Sequence, residues 1–227
     1  MKKEEYILGV DDAGRGPIVG PMVIAGAMFD KDADAILKKL GVKDSKMLFH
    51  PARIRLAKDI QKIAIGYDIV VISPKEIDAA VNSAYNLNKL EAAKMAYVIN
   101  NLTRGLSKSI KITVYVDCPS VNIFAWTNVL KGFLERDDLI LKVEHKCDVN
   151  HVECSAASIL AKVRREEEVE NLKKMYNIDF GSGYPADPVT VNWLKEFGRE
   201  FQKYGIIRES WQTWKNHEKN EKQKKLF

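Results

Sequence analysis

The chain has 227 residues, of which 46% are apolar, and its 36 basic and 31 acidic side chains give a formal net charge of +5. It fits one large globular domain or one domain with a helical appendage, and its charge is compatible with a polyanionic partner without requiring one. Three cysteines without a C-x-x-C pair argue against a disulfide framework and a cysteine-based zinc site, and they indicate a reducing cytosol. No stretch approaches the roughly 18 uninterrupted apolar residues of a membrane span, so we expect a cytoplasmic protein without a membrane partner.

The first two thirds of the chain alternate between short apolar runs and segments with helical spacing. Residues 6–10 and 19–29 are apolar runs joined by a polar turn, and Gly20 and Gly26 favour a bulged strand over a helix in the second run. The two runs predict an opening β-hairpin. Further strands are predicted at 67–72, 112–116 and 139–144, and helices at 51–65, 74–82, 87–102 and 121–135. This order predicts an α/β fold with a mixed five-stranded sheet flanked by helices.

The last third of the chain is predicted to be mainly helical. A helix at 155–176 would have Ser155 as its cap, small residues that pack in its first half and an exposed, charged second half that begins at 164–168. After a turn rich in Gly and Pro, a second amphipathic helix is predicted at 189–204. The lysine-rich residues 216–227 predict a flexible basic tail.

Acidic side chains follow three of the predicted strands. Asp11 and Asp12 come directly after the first strand, Asp117 ends the run at 112–116, and Asp148 follows the run at 139–144. Neighbouring carboxylates repel each other unless a cation, protons or water offset the repulsion, and Mg²⁺ and Mn²⁺ prefer oxygen ligands. If the strands are neighbours, the four acids would hold one or two ions, and two ions about 4 Å apart can hydrolyse a phosphodiester in line. The alternative is ordinary acidic turns and solvated acids at strand ends.

Two other patterns carry weaker signals. His145 and His151 flank Asp148, but no Cys or His lies at zinc-like spacing from them, so we interpret them as surface or hydrogen-bonded residues and predict no zinc. The Gly14-Arg15-Gly16 turn has the spacing of neither a G-x-G-x-x-G loop nor a P-loop. Its glycines would allow the backbone to approach a ligand closely.

The segment GVDDAGRGP at 9–17 resembles the G-[IV]-D-E-A-G-R-G-P signature of type 2 ribonucleases H. The same family has elements that resemble DSK at 44–46, LN at 87–88, SAASILAKV at 155–163, GSGYPADP at 181–188 and SWQT at 210–213. These ordered matches span residues 9–213, nearly the whole chain, and they are most like the archaeal branch of the family.

The resemblance implies a ribonuclease H-like core at 1–165, a helical substrate-binding region at 166–215 and the tail at 216–227. Such an enzyme cleaves the RNA strand of RNA–DNA hybrids and nicks duplex DNA 5′ to an embedded ribonucleotide, leaving 3′-hydroxyl and 5′-phosphate ends, in replication and repair. The resemblance assigns metal binding and catalysis by Mg²⁺ or Mn²⁺ to four residues: Asp11, Asp12, Asp117 and Asp148. It assigns substrate contacts to five more: Gly14, Arg15 and Gly16 at the ribose 2′-hydroxyl, Lys46 at a phosphate and Tyr184 at the next sugar.

The chain departs from the family pattern at Asp12, where the family usually has Glu, so metal occupancy and rate are the properties most affected. One alternative is a hybrid-binding module that has lost catalysis. Another is a type 3 ribonuclease H. Enzymes of that type usually carry an extra N-terminal domain, and a catalytic motif that begins at residue 9 leaves no room for one. We expect a monomer. Residues 223–227 (QKKLF) resemble the start of a Q-x-x-[LIM] peptide that binds sliding clamps, although the paired aromatics are missing and a frayed lysine-rich end is the alternative.

Overall fold

The computed structural model describes residues 4–42 and 49–224, with side chains up to residue 219. The elements in chain order are β1 (Glu5–Ala13), β2 (Met22–Asp30), α1 (Asp34–Lys39), α2 (His50–Ile63), β3 (Gly66–Ile72), α3 (Pro74–Val81), α4 (Leu87–Thr103), β4 (Lys111–Asp117), α5 (Ile123–Lys131), β5 (Ile140–Glu144), α6 (Cys147–Asn150), α7 (Val152–Tyr176), α8 (Pro188–Phe201) and α9 (Gln212–Lys224).

The chain divides into two compact units. The first contains Met1–Ala13, Val23–Val70 and Asn88–Arg164, and the second contains Gly14–Met22, Val71–Leu87 and Arg165–Phe227. This division follows contacts within the chain and leaves the three functional regions expected from the sequence untested, so those regions stay a prediction.

The β-strands of the described residues form a five-stranded sheet in the order β3-β2-β1-β4-β5. β1 runs antiparallel to β2 and parallel to β4, and β4 runs parallel to β5. The predicted mixed sheet and opening hairpin are therefore confirmed. β2 is buried along its whole length except at Asp30, which is the pattern of a central strand covered on both faces.

Two glycines of the hairpin allow helices to pack closely on the sheet. A Cβ atom at Gly9 would lie 2.1 Å from the backbone oxygen of Glu153, at the start of α7, and one at Gly26 would lie 2.5 Å from Cγ1 of Val98 in α4. Real Cβ atoms do not approach other atoms so closely, and a backbone oxygen cannot move aside as a side chain can. The N-terminal turn of α7 therefore rests directly on β1, two residues before Asp11.

The second unit has its own aromatic core. The buried cluster joins residues of the loop after β1 to the C-terminal helices: Ile18, Val19, Val169, Phe180, Trp193, Leu194, Phe201, Ile206, Ile207 and Trp214. Asp187 caps the start of α8. Its carboxylate accepts the backbone N–H of Val189 and, with its other oxygen, the N–H and hydroxyl of Ser182. These hydrogen bonds lower the pKa of Asp187 to about 2. The predicted helical C-terminal region is confirmed.

Several local expectations differ from the structure. The short helices α1 and α6 were not predicted, because six and four residues are too few to show a helical period. α7 begins at Val152 rather than at Ser155, and the Ser155 hydroxyl donates to the backbone oxygen of Val42 instead of capping the helix. The backbone is helical at Gln212–Lys224, where a flexible tail was expected from residue 216. In the described part of the chain, no helix is long and apolar enough to cross a membrane.

Candidate active site

Asp11 and Asp117 lie side by side at the carboxyl ends of two parallel strands. Val10 of β1 is paired with Val116 of β4, and each acid is the next residue of its strand. Neighbouring strands lie about 4.8 Å apart, and residues in equivalent positions point to the same face. The register thus brings together two acids that are 106 positions apart in the chain.

Asp11 sits in an environment that disfavours its charge. It is 5% exposed, and burial raises the pKa of its carboxyl well above the usual value, with further contributions from the charges of Asp12 and Asp117. The N–H of Asp12 donates to Oδ1 of Asp11 at 2.8 Å. The nearby Ser158 hydroxyl of α7 lowers the pKa of Asp11 in part, although its oxygen has no hydrogen bond of ordinary geometry. We therefore treat Ser158 as an electrostatic neighbour only.

Asp148 reaches this end of the sheet through α6. Oδ1 of Asp117 accepts the backbone N–H of Cys147 at 2.7 Å, and Asp148 is the next residue of that helix. The helix begins after Lys146, whose φ of 58° lies in the left-handed region and turns the chain sharply after β5. The third acid-bearing segment is thus tied to the second by a hydrogen bond.

The donor chemistry of the four acids fits magnesium or manganese, because carboxylate oxygens are the ligands these ions prefer. A cation beside Asp11 would offset both the burial of its charge and its repulsion by Asp12 and Asp117, the effects that raise its pKa. Within the described residues, the group of three ligating side chains with all donor atoms within 4.8 Å of one another is a different one, Glu144, Cys147 and His151. The four acids are thus not drawn together that tightly in this structure.

The Gly14-Arg15-Gly16 loop, in the second unit, is held through its carbonyl oxygens. The Arg208 guanidinium donates to the oxygens of Gly14 at 2.6 Å and Arg15 at 2.8 Å, and Trp211 Nε1 donates to that of Gly16 at 3.3 Å. Arg208 also donates to the oxygen of Gly20 and is completely buried. The loop conformation is therefore set by the segment just before α9.

Tyr184 lies against the same loop. Its ring carbons come within 3.6 Å of the Cβ position of Gly16, and the guanidinium of Arg165 lies 5.0 Å from the ring centre. Arg165 is 8% exposed and donates to the backbone oxygen of Ser182 at 2.7 Å. Gly183, between Ser182 and Tyr184 in the chain, has a φ of 81°. Its backbone oxygen accepts the N–H of Ile18 at 2.8 Å. Tyr184 itself remains 39% exposed, so one part of its ring is available to a ligand.

The structure adds two residues to those expected from the sequence. Arg208 lies just before the SWQT segment at 210–213. A single arginine in the sequence gives no sign that its side chain binds three backbone carbonyl oxygens. Arg165 was expected on an exposed surface and is buried instead, because it lies one turn from each of the buried residues Ala161 and Val169. Lys46, expected to bind phosphate, lies outside the described residues.

Comparisons with known proteins identify the class to which this fold and site belong. The structure superposes on the ribonuclease H2 of Pyrococcus horikoshii OT3 with a TM-score of 0.81 and 37% identity, covering 95% of this chain and 98% of that one. It matches the chain in the PCNA:RNase HII complex from Archaeoglobus fulgidus with a TM-score of 0.80 and 35% identity, covering 93% and 96% of the two chains. Bst-RNase HIII, solved in complex with Mn²⁺, has a TM-score of 0.76 at 22% identity over 95% of this chain and 70% of that one, a likeness of fold alone. The fold is that of the type 2 and type 3 ribonucleases H.

The sequence comparisons narrow this class. The family model for Ribonuclease HII matches residues 8–214. The Ribonuclease HII of Pyrococcus furiosus is 41% identical over 219 residues, which cover 96% of this chain and 93% of the relative. The chain belongs to the ribonuclease HII family, whose members are endonucleases that act on RNA–DNA hybrids and depend on divalent metal ions. The resemblance noted in the sequence is confirmed.

Proposed function

We propose that this enzyme hydrolyses the RNA strand of RNA–DNA hybrids and also nicks duplex DNA on the 5′ side of an embedded ribonucleotide, leaving 3′-hydroxyl and 5′-phosphate ends. The observation that carries the second activity is the Gly14-Arg15-Gly16 loop, whose three carbonyl oxygens are bound by Arg208 and Trp211. A Cβ atom at Gly16 would lie 3.6 Å from the ring of Tyr184. A loop fixed in this way can present its backbone to a single sugar.

In the proposed reaction, Asp11, Asp12, Asp117 and Asp148 hold the divalent ions. When bound there, divalent ions would supply Lewis-acid chemistry, lowering the pKa of the attacking water and offsetting the charge that develops on the leaving 3′ oxygen. Asp11 is fixed by burial and by the N–H of Asp12, and Asp117 by the N–H of Cys147. These bonds keep the carboxylates oriented before substrate arrives, which lowers the reorganisation that the reaction requires. The Mn²⁺ found in the Bst-RNase HIII structure supports manganese as one metal for this fold.

Recognition of the ribonucleotide is assigned to the second unit. The 2′-hydroxyl is the group that distinguishes RNA from DNA at one sugar, and it can both donate and accept a hydrogen bond. Backbone groups of Gly14, Arg15 and Gly16 would meet it, since a glycine loop permits close approach. The exposed part of the Tyr184 ring would pack on the next sugar and detect the absence of a 2′-hydroxyl there. Lys46 is proposed to hold a phosphate.

A duplex with one embedded ribonucleotide tests this proposal, with a uniform hybrid and an all-DNA duplex as references. We expect a single nick in the first duplex, with ends that a polymerase extends and a ligase accepts. Tyr184→Ala should slow that nick by about tenfold more than it slows hybrid cleavage, because one aromatic contact is worth about 1–3 kcal/mol. Tyr184→Phe keeps the ring and is the control. Binding of the duplex without a nick, with Mg²⁺ or Mn²⁺, would instead support a module without catalysis.

Asp12 gives a separate prediction, because its carboxylate is one methylene shorter than the glutamate usual in the family. A displacement of about 1 Å at a reacting centre can change a rate on the order of 10²-fold. We therefore predict that Asp12→Glu cleaves the hybrid faster than the natural chain with Mg²⁺, and that the difference shrinks with Mn²⁺, whose coordination is less exacting. Single-turnover rates in each metal measure it. Equal or higher rates for the natural chain with both metals would contradict the prediction that the shorter Asp12 side chain slows the reaction.

A sliding clamp is a proposed partner of the C-terminal residues. The support is the resemblance of residues 223–227 to a clamp-binding peptide, together with the solved complex of PCNA with the ribonuclease HII of Archaeoglobus fulgidus. Residues 225–227 lie outside the described part of the chain. Deleting residues 221–227 should abolish binding to an immobilised archaeal clamp while hybrid cleavage without the clamp continues. Unchanged clamp binding would assign these residues to an ordinary lysine-rich end.

A further inference from the structure

A second group of metal-ligating side chains lies beside the acids, between β5 and the start of α7. Glu144 ends β5, Cys147 begins α6, and His151 follows the last residue of α6. A carboxylate oxygen, the thiol sulfur and an imidazole nitrogen of these residues all lie within 4.8 Å of one another. Oε1 of Glu144 and Nε2 of His151 are 2.9 Å apart.

The three side chains are held in place by neighbours. The His151 ring stacks on Tyr115 of β4, with centres 3.7 Å apart and planes at 19°. Asn150 Nδ2 donates to Oε1 of Glu144 at 3.1 Å. Cys147 is completely buried, whereas Glu144 and His151 are half-buried, so solvent reaches the carboxylate and imidazole but not the thiol in this conformation. Such supporting contacts orient ligands in natural metal sites.

The donor set differs in chemistry from the four acids. One sulfur, one imidazole nitrogen and one carboxylate oxygen are ligands of zinc, which commonly takes three protein ligands and a water. Magnesium prefers oxygen alone. We propose that Glu144, Cys147 and His151 form a second metal site, selective for Zn²⁺ and similar soft divalent ions over Mg²⁺, and that zinc bound there suppresses the nuclease.

Suppression follows from the position of α6, and this part rests on the proposed role of Asp148 and Asp117. Bonds of about 2.0–2.3 Å to one ion would set the three donor atoms about 3.5 Å from one another, whereas the Glu144 and His151 atoms now lie 2.9 Å apart, so the group must rearrange to bind the ion. Asp148 lies in the same short helix between Cys147 and His151, and the N–H of Cys147 is bound to Asp117. Closing the three ligands on zinc would therefore shift Asp148 and strain the hydrogen bond to Asp117.

Cobalt(II) tests the site directly, because its bond to a thiolate gives a charge-transfer absorption in the near ultraviolet that carboxylates do not give. We expect this band on adding Co²⁺ to the whole chain, its loss on adding equimolar Zn²⁺, and its persistence in excess Mg²⁺. Cys147→Ser should remove the band, and Cys118→Ser, the matched change at another buried cysteine, should keep it. His151→Gln keeps the thiol and should weaken Co²⁺ binding at least about tenfold. No band in the natural chain, or a band that persists in Cys147→Ser, would overturn the site.

The effect on activity is measured as the ratio of hybrid-cleavage rates with and without one equivalent of Zn²⁺, in saturating Mg²⁺. We expect a low ratio for the natural chain and a ratio near one for His151→Gln. Equal ratios in the two proteins would overturn suppression. The cobalt band needs no nuclease activity, so a failure of the proposed function and a failure of the zinc site give different results.

Discussion

Asp11→Asn should abolish cleavage of the hybrid and at the same time raise the melting temperature of the metal-free protein. The loss of rate should be at least about 10²-fold, the cost of removing one charge-stabilising group from an active site. The gain in stability follows from burial and from the neighbouring charges of Asp12 and Asp117, which raise the pKa of Asp11. The neutral amide removes a charge that the folded state disfavours.

The raised pKa of Asp11 also predicts how the stability of the metal-free protein changes with pH. Because the folded pKa of Asp11 is raised, the folded state binds a proton that the unfolded state has lost, and stability falls as pH rises from the ordinary aspartate value through the folded one. In chelator, the natural chain should lose stability over that interval more steeply than Asp11→Asn. Mg²⁺ should stabilise the natural chain by mass action, and the variant much less.

Thermal melts from acidic to neutral pH, recorded once in chelator and once in Mg²⁺, measure the pH dependence of stability and the stabilisation by the metal. Asp32→Asn, at an exposed position, is the matched control and should change neither activity nor metal response. An active Asp11→Asn, or a variant that melts below the natural chain in chelator at neutral pH, would contradict the role of Asp11.

Arg208→Met should produce the largest loss of stability among changes in the second unit. The guanidinium is fully buried and binds the carbonyl oxygens of Gly14, Arg15 and Gly20. Each buried acceptor left without a donor costs about 1–3 kcal/mol, so we expect a decrease in the free energy of unfolding of about 3 kcal/mol or more. Urea denaturation measures it.

Two further variants separate stability from recognition. Arg199→Met removes an arginine of the same unit whose ion pair with Glu218 is 3.9 Å long and partly exposed, and it should cost about 1 kcal/mol or less. Arg208→Lys keeps the charge but lacks the planar fork that reaches several carbonyls. If it folds as expected, it should nick at a single ribonucleotide more slowly relative to hybrid cleavage. Equal slowing on both substrates would contradict a role of this arginine in positioning the loop.

The sequence predicts the sheet well because the physical signal there is local. The apolar run before Asp117 stops where β4 ends, whereas β1 continues through Asp11 and Asp12 to Ala13, beyond the end predicted from its apolar run. Parallel pairing of the two strands is enough to bring Asp11 and Asp117 together. The pattern at 164–168 misleads because all five residues are charged and therefore predict an exposed segment, whereas burial depends on the position of each residue around the helix. Arg165 lies four residues from each of the buried residues Ala161 and Val169, so all three share one face of the helix.

Long-range partners could not be read from the chain. Arg208 and the Gly14 oxygen that it binds are 194 positions apart, and no local pattern connects them. The expectation that no Cys lies at a metal-ligand spacing from His151 is wrong, because Cys147 and His151 have the i, i+4 spacing of one helical turn. A helix of four residues gives no hydrophobic period by which to detect it. The polar composition of residues 216–227 predicts a tail, whereas the backbone is helical in α9. Trp214, two residues before residue 216, is buried in the aromatic cluster.

Cys118, Cys147 and Cys154 form no disulfide, are buried and all belong to the first unit. An alkylating reagent would therefore modify them only when that unit opens, while the second unit contributes no thiol. The rate of modification would measure local opening of the sheet and its helices separately from opening of the C-terminal helices. The native sequence thus contains its own set of probes for local unfolding, without any engineered label.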